Sequence, residues 1–81
     1  MDNLTRYNNV FQSVFNVEVQ ELNGDFASGA IAKWDSITHL SLITELEDEF
    51  DIMLDPEDIL NFKSYLQGKE IMAKYDVELN A

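Results

Sequence analysis

The feature that most limits what this chain can fold into is the spacing of its apolar residues, which recur at helical rather than strand intervals. Leu4, Tyr7, Phe11, Val14 and Phe15 lie at the i, i+3, i+7 positions of one amphipathic stripe. Asp2 or Asn3 stands where a side-chain oxygen can cap the first turn, so a first helix is expected over about residues 3–15. From Asn16 to Trp34 the pattern lapses. Val17 and Val19 alternate briefly with polar residues, and Asn23-Gly24-Asp25 and Ser28-Gly29 supply turn chemistry. A connection this long stays ordered only if its own side chains tie it down, and Leu22, Phe26 and Ile31 are the expected anchors. No strand is expected beyond a doubtful pair around Val17–Val19, and a short helical turn in the loop is not counted on.

Three further helices follow from their start signals. Asp35 precedes a periodic run and can accept from the first-turn amides, so a second helix is expected over about 36–50, with Leu42, Ile43, Leu46 and Phe50 on one face. Asp55-Pro56-Glu57-Asp58 places a cap, a proline at the first helical position and acids in the first turn, which opens a short helix ending near Asn61. Ser64 and Gln67 have capping-box spacing and open a last helix to about Tyr75, burying Tyr65, Gly68, Ile71 or Met72, and Tyr75. Residues 76–81 are expected to fray. The predicted architecture is all-α: one domain over 1–81, a bundle of three longer helices and one short, with a long loop between helices 1 and 2. At 81 residues it buries only about 60–65% of its unfolded surface.

Charge narrows the partners. Sixteen acids against five Lys and Arg give a net charge of −11, and between Trp34 and Phe62 there are nine acids and no Lys or Arg. Such a surface repels nucleic acid and anionic lipid and attracts basic protein patches. No apolar window approaches a membrane span, the first residues lack the form of a signal peptide, and cysteine is absent, all of which suits a cytoplasmic location; a monomer is expected. Metal binding is not expected. The acids of 45–58 lack EF-hand spacing, and one His without Cys does not make a zinc site.

Ser36 could be read as a catalytic serine with His39 three residues on, but a hydrolase also needs an orienting acid behind the His and an oxyanion hole, and here no glycine flanks Ser36 and no strand precedes it. No catalytic residue is therefore expected, and the chain is not read as an enzyme. A plain structural role for Ser36 beside the Asp35 cap is the bland alternative. His39 reads more readily as a surface helix residue, Trp34 as packing the loop onto the helix or bordering a site, and Leu40 equally as core or as partner contact.

The segment Asp35-Ser36-Ile37, the helix end Leu46-Glu47-Asp48-Glu49-Phe50, and Asp55-Pro56-Glu57-Asp58-Ile59 with Phe62 together resemble the acyl carrier protein family over roughly residues 28–75. The resemblance implies a four-helix bundle of acyl-carrier type and a 4′-phosphopantetheine arm on Ser36, with Asp35 recognised by a phosphopantetheinyl transferase. Ile37, Leu40, Glu45, Glu47, Asp48 and Glu49 would then meet partner enzymes through a basic docking patch. Thr38 and Ser41 stand where fatty-acid-synthesis carriers often have acids, and Trp34-Asp35-Ser36 with His39 is similar to free-standing carriers of specialised pathways. The implied partner is a dedicated acyl- or aminoacyl-activating ligase, an acyltransferase or a synthase. In members that sequester the acyl chain, Leu42, Ile43, Leu46, Phe50, Phe62 and Ile71 would line its space. The rival reading is an acidic helical adaptor that has the carrier fold without the arm.

Overall fold

The computed structural model describes residues 2–79 and holds four α-helices over them, with no strand among the described residues: α1 Asn3–Phe15, α2 Ser36–Phe50, α3 Pro56–Asn61 and α4 Tyr65–Ala73. Local chemistry explains most of the boundaries. Asp2 accepts from the Thr5 amide at 2.7 Å, Asp35 from Thr38 at 2.8 Å and Ser64 from Gln67 at 2.9 Å, each meeting one orphan donor of a first turn. Asn16 and Asp51 end α1 and α2 in the left-handed region, at φ 55° and 53°, which short polar side chains tolerate.

Three expectations need correction. Asp55 precedes α3 but makes no side-chain cap; its amide donates instead to the Tyr75 hydroxyl at 2.9 Å, and Pro56 opens the helix. Val17–Val19 form no strand; Val19–Glu21 is one turn of 3₁₀ helix, closed by the Glu21 carboxylate on the Glu18 amide at 2.9 Å. The fraying expected of residues 76–81 does not hold over 76–79. Asp76 turns left-handed at φ 65°, the Val77 amide bonds back to the Met72 carbonyl, and Val77 and Leu79 bury themselves in the core. That is a Schellman-type ending carried by aspartate rather than glycine. Asn80 and Ala81 lie outside the described residues.

The core is aromatic. Phe11 sits at its centre, with the rings of Tyr7, Phe15, Phe26, Trp34, Phe62 and Tyr65 at centroid distances of 4.9 to 6.3 Å. Leu42, Ile43 and Leu46 of α2 and Ile71 and Met72 of α4 close it. Burying each such side chain stabilises by about 1.5–3 kcal/mol, which is how a chain this short sustains a core. Within it the Tyr7 hydroxyl donates to the Tyr65 carbonyl at 2.7 Å, and burial raises the Tyr7 phenol well above its ordinary pKa.

The long loop is fastened as expected of its anchors. Phe26 is buried and Leu22 and Ile31 pack against the core. Its backbone also pairs with the α3–α4 linker, with the Ser28 amide on the Lys63 carbonyl and the Tyr65 amide on the Phe26 carbonyl, both at 2.8 Å. This brings Trp34 and the start of α2 beside α3, where the site lies.

Candidate functional site

Ser36 is the first residue of α2 and is exposed. Before it, the Asp35 carboxylate is held below the ordinary carboxylate range, chiefly by the Thr38 amide. That bond occupies one of the first-turn amides that otherwise point toward an anion at Ser36; the helix dipole and the earlier amides of the turn remain.

Beside Ser36 opens a groove of about 410 Å³ between the first turns of α2, α3 and the linker after it. Its wall is mostly apolar: Trp34, Leu40, Ile59, Leu60 and Phe62, with Ser28, Asp35, Ser36, His39 and Lys63 completing the rim. Of the six residues expected to line an acyl space, only Phe62 reaches the groove. Leu42, Ile43, Leu46 and Ile71 are spent in the core, and Phe50 packs half-buried at its edge.

The partner residues read from the sequence divide into two groups. Ile37 is 78% exposed and Leu40 62%, which settles Leu40 as surface. Leu60 and Met53, which sequence reasoning missed, are 73% and 82% exposed, and Leu60 lines the groove along with Leu40. The acids of α2 differ in what they touch. Glu47 accepts from the Leu54 amide at 2.9 Å and so pins the α2–α3 loop. Glu49 pairs with Arg6 of α1 at 2.7 Å, and the Arg6 guanidinium also reaches the Glu49 carbonyl and lies 4.6 Å over the Phe50 ring. Glu45 and Asp48 are exposed, in the last turns of α2, whereas residues 36–44 carry no acid or base other than His39.

His39 is not a surface residue. It is half-buried, with Nδ1 3.0 Å from Trp34 Nε1 and Nε2 2.8 Å from the Ile59 carbonyl. Trp34 is buried against Phe11 and Phe15 and borders the groove, so both readings of it hold in part. Behind α3, Asp58 is 7% exposed and takes the Tyr75 hydroxyl at 2.6 Å and the Lys74 ammonium at 2.9 Å. Neither partner was signalled by the acidic run in which Asp58 sits.

Among the described residues no three His, Asp or Glu side chains gather closely enough to hold a metal ion, and no helix is long and apolar enough to cross a membrane. Set against known proteins, the chain matches no family model, no curated protein and no solved structure.

Proposed function

We propose that this chain is a carrier domain that tethers an acyl or aminoacyl group as a thioester on a 4′-phosphopantetheine arm at Ser36 and presents it to partner enzymes. The observation that carries the reading is the placement of Ser36: an exposed hydroxyl at the first position of a 15-residue helix, on the rim of an apolar groove. The Asp-Ser-Ile resemblance names the same residue. A phosphodiester there meets the positive end of the helix dipole. The arm ends in a thiol, a group the cysteine-free chain lacks.

The chain's own residues hold and display; the chemistry belongs to the partners. Asp35 fixes the start of α2 and stands where a modifying transferase reads the serine. The groove offers the arm and its cargo an apolar wall at the surface, because the core behind it is filled by packed aromatic rings. Partner contact near the arm rests on Ile37, Leu40 and Leu60, with Glu45 and Asp48 further along α2 steering a basic patch. Within α2, Glu47 and Glu49 also hold contacts inside the domain.

The same apolar patch also suits the rival reading, an acidic adaptor with no arm. The two part on one reaction: incubation with coenzyme A and a broad-specificity phosphopantetheinyl transferase, read by intact mass. One added arm on the wild type and none on Ser36→Ala is the result expected of a carrier. No addition to a folded wild type refutes it.

A further inference from the structure

His39 is the one ionisable ring on the groove wall, and displaying an arm at Ser36 makes no use of it. Three separate parts of the chain meet on this imidazole: Trp34 at the end of the long loop, α2 itself, and Ile59 of α3. The partners fix its state. An indole N–H only donates and a backbone carbonyl only accepts. Nδ1 must therefore offer its lone pair to Trp34, and Nε2 must carry the proton it gives to Ile59. The ring is thus the neutral Nε2–H tautomer, stacked at 6.2 Å on Trp34 and edge-on at 6.5 Å to Phe62.

One of the parts the ring joins is a short helix. α3 has six residues, too few to be stable as an isolated helix, and its N-cap makes no side-chain bond. Buried Leu54 and Phe62 flank it, Ile59 packs on the core, and its side-chain hydrogen bonds to the rest of the fold include the His39 bond to the Ile59 carbonyl and the Asp58 bonds to Tyr75 and Lys74. Trp34, His39 and Ile59 all face the groove that Ser36 borders.

We propose that His39 is a proton-operated latch on this groove. Neutral, it clasps Trp34 and α3 to α2. A proton added to Nδ1 gives the ring a second N–H, which then faces the indole N–H, donor against donor. The Trp34 bond breaks and the indole N–H loses its acceptor at the groove wall, while the core rings still hold the indole body and the Nε2 bond to Ile59 persists. The charged groups on the elements around the ring are Asp35 at the cap of α2, Glu45, Glu47, Asp48 and Glu49 towards the far end of that helix, Glu57 and Asp58 on α3, Lys63 after it and Lys33 on the loop. Asp35 is bonded to Thr38, Asp58 to Lys74 and Tyr75, and Lys33 to the Phe15 carbonyl. The latch belongs to the unmodified chain, so its failure leaves the carrier reading standing, and the reverse holds too.

Trp34 is the only tryptophan, so its indole N–H gives a single nuclear magnetic resonance signal. That signal, its hydrogen exchange and the His39 ring nitrogens are followed on the unmodified chain as the pH is lowered from neutral until the ring nitrogens report the added proton. The expected result is an Nε2–H tautomer at the alkaline end. As His39 gains its proton, the indole signal moves with the same midpoint. Its exchange, corrected for intrinsic pH dependence, quickens roughly tenfold, the protection that one hydrogen bond of ordinary strength gives. His39→Asn, which sets an amide oxygen near the place of Nδ1 and gains no proton, is expected to keep the bonded signal throughout. An Nδ1–H tautomer, an indole signal that ignores the His39 titration, or a transition that survives in His39→Asn would each overturn the latch.

Discussion

Gly68 offers the sharpest test of how the core is packed, because two rules of thumb disagree about it. It lies inside α4, where replacing glycine by alanine ordinarily stabilises by about 1 kcal/mol. Its φ is not positive, so conformation does not require glycine there. Space does. A Cβ built on Gly68 falls well inside contact distance of the Phe62 ring and the Tyr7 hydroxyl, both fully buried. Relieving that overlap costs about 1–3 kcal/mol in forced repacking. If Tyr7 gives way, its bond to the Tyr65 carbonyl is lost in a buried place, at about another 1–3 kcal/mol. Set against the helix gain, Gly68→Ala should destabilise by roughly 2–4 kcal/mol. Urea unfolding followed by circular dichroism reads this as a midpoint lowered by roughly 1 M or more. Gly29→Ala, where the added carbon meets nothing within 4 Å, is the control and should stay within about 0.5 kcal/mol. A midpoint for Gly68→Ala equal to or above the wild type would refute the packing described for α1, α3 and α4.

Other expectations follow from the same contacts. The Asp58 carboxyl is held below its ordinary pKa by the Tyr75 hydroxyl first and by Lys74 second, so its contribution to stability is present above the unfolded value of about 3.9 and is lost as pH falls through the lower folded value. Asp58→Asn should therefore lower the urea midpoint at neutral pH, with the gap from wild type closing below about pH 4; a gap that persists there contradicts the assignment. Arg6→Ala removes a half-exposed ion pair and a stacking contact, and should cost no more than about 1 kcal/mol, less in high salt, by the same unfolding assay. With a net charge of −11, millimolar magnesium at low ionic strength should raise the melting temperature; no rise would show that self-repulsion does not loosen the fold. Asp35→Asn, which keeps the cap oxygen, should fold like wild type yet be modified more slowly by the transferase; an unchanged rate would remove Asp35 from recognition.

The parts of this fold that were legible in the sequence are those decided within a few residues. Asp2, Asp35 and Ser64 cap because each stands one position before a periodic run, and α1 and α2 run to their predicted residues for the same local reason. The tail was misread because burial of Val77 and Leu79 depends on Asp76 turning left-handed, and no glycine marks that turn. The site was half legible. Ser36 and Asp35 stand out by motif and Ile37 by its place off the apolar stripe. What Glu47, Glu49 and Asp58 do is set by Leu54, Arg6, Lys74 and Tyr75, from 7 to 43 positions away in the chain. An acidic run reads the same whether its members face solvent or fasten a loop. His39 is the clearest case: it read more readily as a surface helix residue, whereas Trp34 and the Ile59 carbonyl claim both its nitrogens.

The central claim, an arm on Ser36, is tested most directly by counting thiols. The chain has no cysteine, so the unmodified protein contains none. After treatment with coenzyme A and transferase and removal of free thiol, the account predicts one titratable thiol per chain on the wild type and none on Ser36→Ala. A wild type that stays thiol-free while folded, or a thiol that appears equally on Ser36→Ala, would contradict it.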